Sequence, residues 1–402
     1  MQLLGIHEIS KPQEFPGRDR NRAELEGLEL LDGGGQAYPR MLQVIAAARR
    51  HIYLEVYSFA YDATGKQFVT ALANAAHRDV EVHVVIDGWG SAFSGRSVAA
   101  ELRAAGCHVK IYNRLRSLLA GRFARTHRKM LLVDDAIAFI GGINIGDENT
   151  EASGRVGWAD LALELRGAPC AYLGKLFRGE PRGQLGNDLE IHFSRLGEGW
   201  RLRRLYLRAI ARAHAHVHIA HGYFLPDRGI LRAIVSAARR GVHVQLVLAG
   251  RSDVPLARAA TRSLYRRLLR AGVAIYEWNG SVLHAKLACI DSNSLLIGSF
   301  NLDPFSLTNR EVLVQVSRPE VVKQGEEWIA DRLLESHAVT TVELGTTVQR
   351  WLLDPIGLLV VRIAVLVSRL LAPGRQRRNW RKKSKRRSPA RVSERASSNA
   401  DL

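Results

Sequence analysis

The sequence is poor in cysteine. Its three, Cys107, Cys170 and Cys289, stand far apart in 402 residues and form no Cys-x-x-Cys pair. That excludes a zinc ribbon and argues against a disulfide framework, so a reducing compartment is the simplest expectation. Acidic residues are few beside basic ones, 39 against 58, which leaves a net charge of +19. No carboxylate cluster suits Mg²⁺ or Ca²⁺, and neither a metal nor a cofactor is expected. The opening stretch MQLLGIHEISKPQEFPGRDR has no basic segment followed by an apolar one, so no signal peptide is read there. Nor does an uncharged apolar run of about 18 residues stand near it.

What is present suits a folded chain that meets polyanions. Hydrophobic residues make up 47% and charged residues 24%, which excludes wholesale disorder. The length fits two domains of about 150–200 residues, and the charge favours nucleic acid, anionic lipid or phosphorylated substrates. Strand and helix patterns alternate, which predicts an α/β fold. The pattern also repeats. AAHRDVEVHVVIDG (75–88) aligns with AARRGVHVQLVLAG (237–250), LRAAGCHVKIY (102–112) with LLRAGVAIY (268–276), and RRHIYLEVYSF (49–59) with AHVHIAHGYF (215–224). The expected organisation is an N-terminal segment 1–35, a first lobe 36–180, a Gly/Pro-rich linker 181–197, a second lobe 198–335, an amphipathic region 336–373 and a tail 374–402. Two such sibling units commonly place a site between them.

Each half carries one constellation at identical spacing. THRKMLLVDDAIAFIGGIN supplies His127, Lys129, Asp134, Gly142 and Asn144; LHAKLACIDSNSLLIGSFN supplies His284, Lys286, Asp291, Ser299 and Asn301. The apolar runs after each His read as buried strands, and the two-residue period puts His and Lys on one face. A hairpin at DD or DSN returns Asn144 beside His127 and Asn301 beside His284. The glycines and Ser299 are expected to leave room for a large anion. Asp134 stands seven residues from His127, roughly 20 Å along an extended strand, so it and Asp291 are expected to fix turns rather than touch a reacting phosphate. A buried His needs a carboxylate on its second nitrogen. Glu311, heading an apolar strand in the second half, and Asp160, in the corresponding place in the first, are assigned that part.

Other features have plainer readings. His214, His216 and His218 alternate along one strand, which fits a polar strand face better than a metal site. His221 lies before YFLP and is a candidate pocket residue. Tyr57, Trp89, Tyr223 and Phe224 are candidates for a lipid entrance, with core aromatics the simpler reading of each alone. Residues 352–372, LLDPIGLLVVRIAVLVSRLLA, are nearly all apolar, but Arg362 and Arg369 share one face. That suits a helix lying in a membrane interface better than one crossing it. RQRRNWRKKSKRR (375–387) follows, with nine basic residues. Each basic residue near an anionic bilayer contributes roughly 1 kcal/mol, so a membrane surface is favoured over DNA.

The paired His-x-Lys-x4-Asp motifs, each followed by Gly-[Gly/Ser]-x-Asn, resemble the phospholipase D superfamily over about residues 36–335. Within it they look most like bacterial cardiolipin synthases of the B type. VIDGWGS (85–91), GWADL (157–161), YFLPD (223–227) and LAGRSDVP (248–255) support this. Gly142 departs from the Ser of many members. The resemblance implies two similar lobes, each a mixed sheet flanked by helices, with the active site at their interface. It implies catalytic roles for the motif residues His127, Lys129, Asp134, His284, Lys286 and Asp291, and binding or supporting roles for Gly142, Asn144, Ser299 and Asn301. His127 would be the nucleophile and His284 the acid and base, in transfer of a phosphatidyl group between two phosphatidylglycerols. A phospholipid hydrolase with the same residues, a nuclease using the same chemistry, and a non-enzymatic polyanion binder are the alternatives. The expected setting is the cytoplasmic face of a bacterial inner membrane, held peripherally through the C-terminal helix and tail, with no obligatory protein or nucleic-acid partner.

Overall fold

The computed structural model describes residues 25–113, 125–151, 157–178 and 188–341. The first sheet contains β1 (Leu25–Asp32), β2 (His51–Val56), β3 (Glu81–Asp87), β4 (His108–Tyr112), β5 (Met130–Val133), β6 (Ile137–Gly141) and β7 (Leu161–Gly167), in the order β1-β7-β6-β5-β2-β3-β4. The second contains β8 (Leu189–Phe193), β9 (His216–His221), β10 (His243–Arg251), β11 (Ala274–Val282), β12 (Lys286–Ile290), β13 (Ser294–Gly298), β14 (Val312–Val316) and β15 (Ser336–Ala338), in the order β15-β11-β10-β9-β12-β13-β14-β8. Apart from β15, the two orders are the same. In each sheet the repeated segments form three parallel strands, β2-β3-β4 and β9-β10-β11, and the motif hairpin joins them antiparallel.

This symmetry corrects two expected boundaries. Residues 25–32 belong to the first lobe as β1, paired antiparallel with β7. Residues 189–193, read as linker, are β8, paired antiparallel with β14. Both are the same edge strand of their lobe. The sequence hid them for a physical reason: one carries three acidic residues and a glycine in LEGLELLD, and the other is five residues long behind a Gly/Pro-rich stretch. Edge strands tolerate charge and brevity that interior strands do not.

Helices α1 (Gly33–Ala47), α2 (Ala63–Ala76) and α3 (Gly95–Ala104) cover the outer face of the first sheet, where Phe59, Phe68, Leu72 and Ile86 form one buried layer. Helices α5 (Trp200–Arg212), α6 (Arg228–Arg239), α7 (Pro255–Arg262) and α8 (Tyr265–Leu269) are grouped outside the second, over Ile219, Ile234 and Leu246. A third apolar layer joins the lobes. There α4 (Ala168–Phe177) and α9 (Pro319–Leu334) pack with Leu163 and Leu165 of one sheet and Leu287 and Val314 of the other. Burying each such side chain contributes roughly 1.5–3 kcal/mol, so the lobes share a core. Polar contacts lock the same seam: Trp328 Nε1 donates to Asp32 at 2.8 Å, Arg332 pairs with it at 2.6 Å, and the amide of Leu30 donates to Gln324. Among the described residues no helix is long and apolar enough to cross a membrane. The expected interfacial helix 352–372 and the tail 374–402 lie outside the described residues.

Candidate active site

The motif hairpins turn at Asp134–Asp135 and Asp291–Ser292, all four with left-handed backbone, φ between 51 and 55°. Asp accepts this conformation because its short side chain bonds locally. The Asp134 carboxylate accepts the backbone amides of Arg49, Arg50 and His51 at 2.7–3.0 Å. Asp291 does the same for His214, Ala215 and His216 at 2.8–2.9 Å. Each motif aspartate therefore ties its turn to the start of the neighbouring strand, β2 or β9, as the extended-chain arithmetic anticipated. Those amides hold both carboxyls below the usual range against the opposing effect of burial.

At the other end of the hairpins the two lobes interleave. The amide of His127 donates to Arg310 O, that of Ala159 to Val282 O and that of His284 to Ala159 O, each at 2.9 Å. The orienting carboxylates are crossed as a result. Glu311 of the second lobe holds His127 of the first through Nδ1 at 3.1 Å, alongside the Ser299 carbonyl at 3.0 Å. Asp160 of the first lobe holds His284 of the second through Nδ1 at 2.5 Å. With Nδ1 engaged in both rings, each Nε2 is the nitrogen left for chemistry.

The electrostatics fit a site for an anion. Lys129 and Lys286 are buried, and their ammonium groups donate to the carbonyls of His127 and His284. Burial, then Lys286, brings Lys129 down to about 7. Burial, then Lys129, lowers His127 to about 4, and burial with Lys286 lowers His284. Lys286 thus bears on His127 and Lys129 on His284, so the two motifs occupy one electrostatic neighbourhood. Burial opposes ionisation of Asp160 and Glu311, but the facing His and Lys outweigh it and keep both carboxyls below their usual range. A phosphodiester entering here would offset the lysine charges that add to burial in lowering both imidazoles.

The small residues have a different use from the one expected. A Cβ on Gly142 would sit 2.1 Å from Asp160 Oδ1, and one on Gly141 would strike Leu161 O at 2.2 Å. In the second lobe Ser299 Oγ donates to Glu311 at 2.5 Å. The space goes to the orienting carboxylate and the adjacent strand, not to a bound anion. Asn144 and Asn301 are buried; Asn144 Oδ1 accepts the amide of Ser58 at 3.1 Å, and Asn301 Oδ1 has no partner among the described residues.

Of the expected entrance aromatics, Tyr57 lies edge-on to His127 at 4.9 Å with Lys129 over its ring, and Tyr223 lies edge-on to His284 at 5.8 Å. Trp89 carries Arg125 on its face at 4.9 Å. Phe224 is wholly buried in the core of the second lobe and lines no entrance. His221 pairs in register with Lys286, and burial holds it neutral, down to about 3. The sequence reading missed Trp158, whose ring sits 5.2 Å from His284, although it stands two residues before Asp160. It also missed Arg125, which donates to Tyr57 Oη at 3.2 Å. Of the strand histidines, His216 and His218 stack at 4.5 Å, while His214 precedes the strand and is exposed.

Comparison with known proteins agrees with this architecture. Residues 41–157 and 206–333 match the family described as cardiolipin synthase, PLD-like domain. Cardiolipin synthase B of Salmonella typhimurium and that of Escherichia coli K12 are each 34% identical over 304 residues, covering 70% of this chain and 74% of theirs. The phosphatidylserine synthase of Haemophilus influenzae superposes with a TM-score of 0.67 at 14% identity, over 86% of this chain and 94% of that one. Crossed carboxylates, paired His-x-Lys motifs and a duplicated sheet order thus coincide with a family match over more than half the length, and the chain belongs to the cardiolipin synthase, PLD-like domain family.

Proposed function

We propose that the chain is a cardiolipin synthase, a phosphatidyltransferase that joins two phosphatidylglycerols and releases glycerol. The observation that carries this reading is the crossed pair of imidazoles, each aimed by the other lobe's carboxylate and each beside a buried lysine.

In this reading neutral His127 attacks phosphorus through Nε2. The P–O bond to the departing glycerol breaks as His284 gives that oxygen its proton, leaving a phosphohistidine. The hydroxyl of a second phosphatidylglycerol then yields its proton to His284 and attacks phosphorus. The P–N bond breaks and His127 is neutral again. Lys129, Lys286, Asn144 and Asn301 donate to the phosphoryl oxygens as their charge grows. The shorter His284–Asp160 contact, 2.5 Å against 3.1 Å for His127–Glu311, favours His284 as the group that passes through the charged form. The apolar, arginine-bearing segment 352–372 and the basic run behind it would hold the enzyme peripherally on the anionic, cytoplasmic face of a bacterial inner membrane.

The test uses vesicles of phosphatidylglycerol and the native chain, His127→Ala and His284→Ala. The native chain is expected to form cardiolipin and glycerol, and each variant to lose several orders of magnitude in rate while keeping its melting transition. Phosphatidic acid as the main product would replace transfer by hydrolysis. Near-normal turnover in either variant would end the two-histidine scheme.

A further inference from the structure

At the other end of β9 from His221, the second lobe gathers three groups that phosphoryl transfer does not use. His216 and His218 stand on one face of the strand with their rings stacked at 4.5 Å. Glu326 reaches them from α9, and one ring nitrogen of each histidine and a Glu326 oxygen all lie within 4.8 Å of one another. The third histidine of the sequence pattern, His214, precedes the strand and is exposed; Glu326, more than a hundred residues away, stands with the other two instead.

The contacts among these groups do not satisfy one another. His216 Nε2 lies 2.9 Å from Glu326 Oε1 and also receives the amide of Ser292 at 3.0 Å. A protonated Nε2 would face the Ser292 N–H donor to donor. An unprotonated Nε2 would face the Glu326 oxygen lone pair to lone pair. His218 Nε2 is buried and has no hydrogen-bond partner. Zinc bonds of about 2.0–2.2 Å put neighbouring tetrahedral ligand atoms roughly 3.3 Å apart. His216 and Glu326 are already near that spacing, and rotation of the stacked His218 ring about its χ angles would turn its in-plane lone pair toward them. Ser292 stands on an exposed turn and can give up its contact with His216 to water.

The sibling lobe serves as an internal control. There His51 takes the place of His216, Tyr53 that of His218 and Asp135 that of Ser292. Asp135 is bound both by His51 at 2.9 Å and by the guanidinium of Arg178 at 3.1 Å. That lobe fills the corner with a cation of its own. In the second lobe Glu326 pairs with His216 and accepts from Ser292 Oγ at 2.8 Å, and among the described residues no Lys or Arg forms an ion pair with it there.

We propose that His216, His218 and Glu326 form a binding site for one zinc-like divalent cation that pins α9 to the second sheet. Two imidazoles and one carboxylate suit Zn²⁺ or its first-row neighbours rather than Mg²⁺ or Ca²⁺, with water completing the coordination. The same helix carries Gln324, Trp328 and Arg332 to the first lobe, so the ion would stiffen the seam between the lobes. It takes no part in phosphoryl transfer, and the proposal is independent of that reading.

The test titrates the metal-stripped full chain with Zn²⁺ and follows its melting temperature, and with Co²⁺ and follows visible absorption. Expected are a rise in melting temperature that saturates at one equivalent, and the intense d–d band of tetrahedral cobalt. His218→Gln and Glu326→Gln should each weaken binding tenfold or more, while exposed His214→Gln leaves it unchanged. The cobalt spectrum of the native chain needs no variant, so it decides the matter even if a substitution prevents folding. No saturable shift, no tetrahedral band, or equal binding by His218→Gln would overturn the proposal.

Discussion

The two lobes solve one steric problem in two ways, and exchanging the solutions tests how the histidines are aimed. The first lobe pairs Gly142 with the shorter Asp160, and the second pairs Ser299 with the longer Glu311. Gly142→Ser would place Cβ 2.1, 2.6 and 2.7 Å from Oδ1, Oδ2 and Cγ of Asp160, so the carboxylate must move. Overpacking of this kind costs about 1–3 kcal/mol. Movement by even 1 Å breaks the 2.5 Å contact with His284 Nδ1, a charged hydrogen bond worth about 1.5–3 kcal/mol. If that energy is expressed in the transition state, the rate falls roughly ten- to a hundredfold. Asp160→Glu alone extends the carboxylate without the hydroxyl that steadies Glu311, and an intermediate loss is expected. The double variant Gly142→Ser, Asp160→Glu rebuilds the second lobe's arrangement in the first and should recover to within about tenfold of the native rate. Cardiolipin formation from phosphatidylglycerol vesicles, with melting temperature measured on the same samples, gives both quantities. Full activity in Gly142→Ser, or a double variant no better than the single, would refute the reasoning.

Three further outcomes follow from the same structure. Asp291→Ala strips the acceptor from three backbone amides and should lower stability by about 2–3 kcal/mol in denaturant melts, with activity per folded molecule little changed. Its carboxyl lies below the unfolded value, so its stabilisation is present above about pH 3.9 and lost as pH falls through the folded value; a flat acid limb would contradict this. Free Lys129, at about 7, is mostly neutral at pH 8, and a bound anion lifts it. Tungstate binding should therefore take up protons, read by calorimetry in buffers of different ionisation enthalpy; proton release would be the opposite of what burial and Lys286 imply. Removing residues 374–402 deletes eleven basic and two acidic residues, a net +9 (11 − 2). Binding to anionic vesicles at low salt should drop sharply, while neutral vesicles show little change.

Much of this arrangement was legible before folding because it repeats. Strands β2, β3 and β4 and their counterparts β9, β10 and β11 announced themselves as paired apolar runs, and equal motif spacing placed both hairpins. Chain length put Asp134 and Asp291 in turns, where they stand, although the resemblance had grouped them with the catalytic motif residues. The crossing of Asp160 and Glu311 was invisible, since nothing in a linear pattern says which lobe a strand end will face once two sheets share a core. The same limit hid Trp158, whose meaning depends on His284, and Glu326, whose meaning depends on β9. The glycines were misjudged for a related reason: a missing side chain leaves a space, but sequence does not say what fills it.

Because the His127 and His284 rings each lean on a carboxylate from the opposite half, their orientation belongs to the docked whole. A single half, whether released by proteolysis or translated on its own, would carry an imidazole with no partner to set its tautomer. Any breathing of the seam would free both rings from their carboxylates at once. Reciprocal dependence of this kind also restrains divergence after duplication, since neither copy can lose its carboxylate without releasing the other's imidazole.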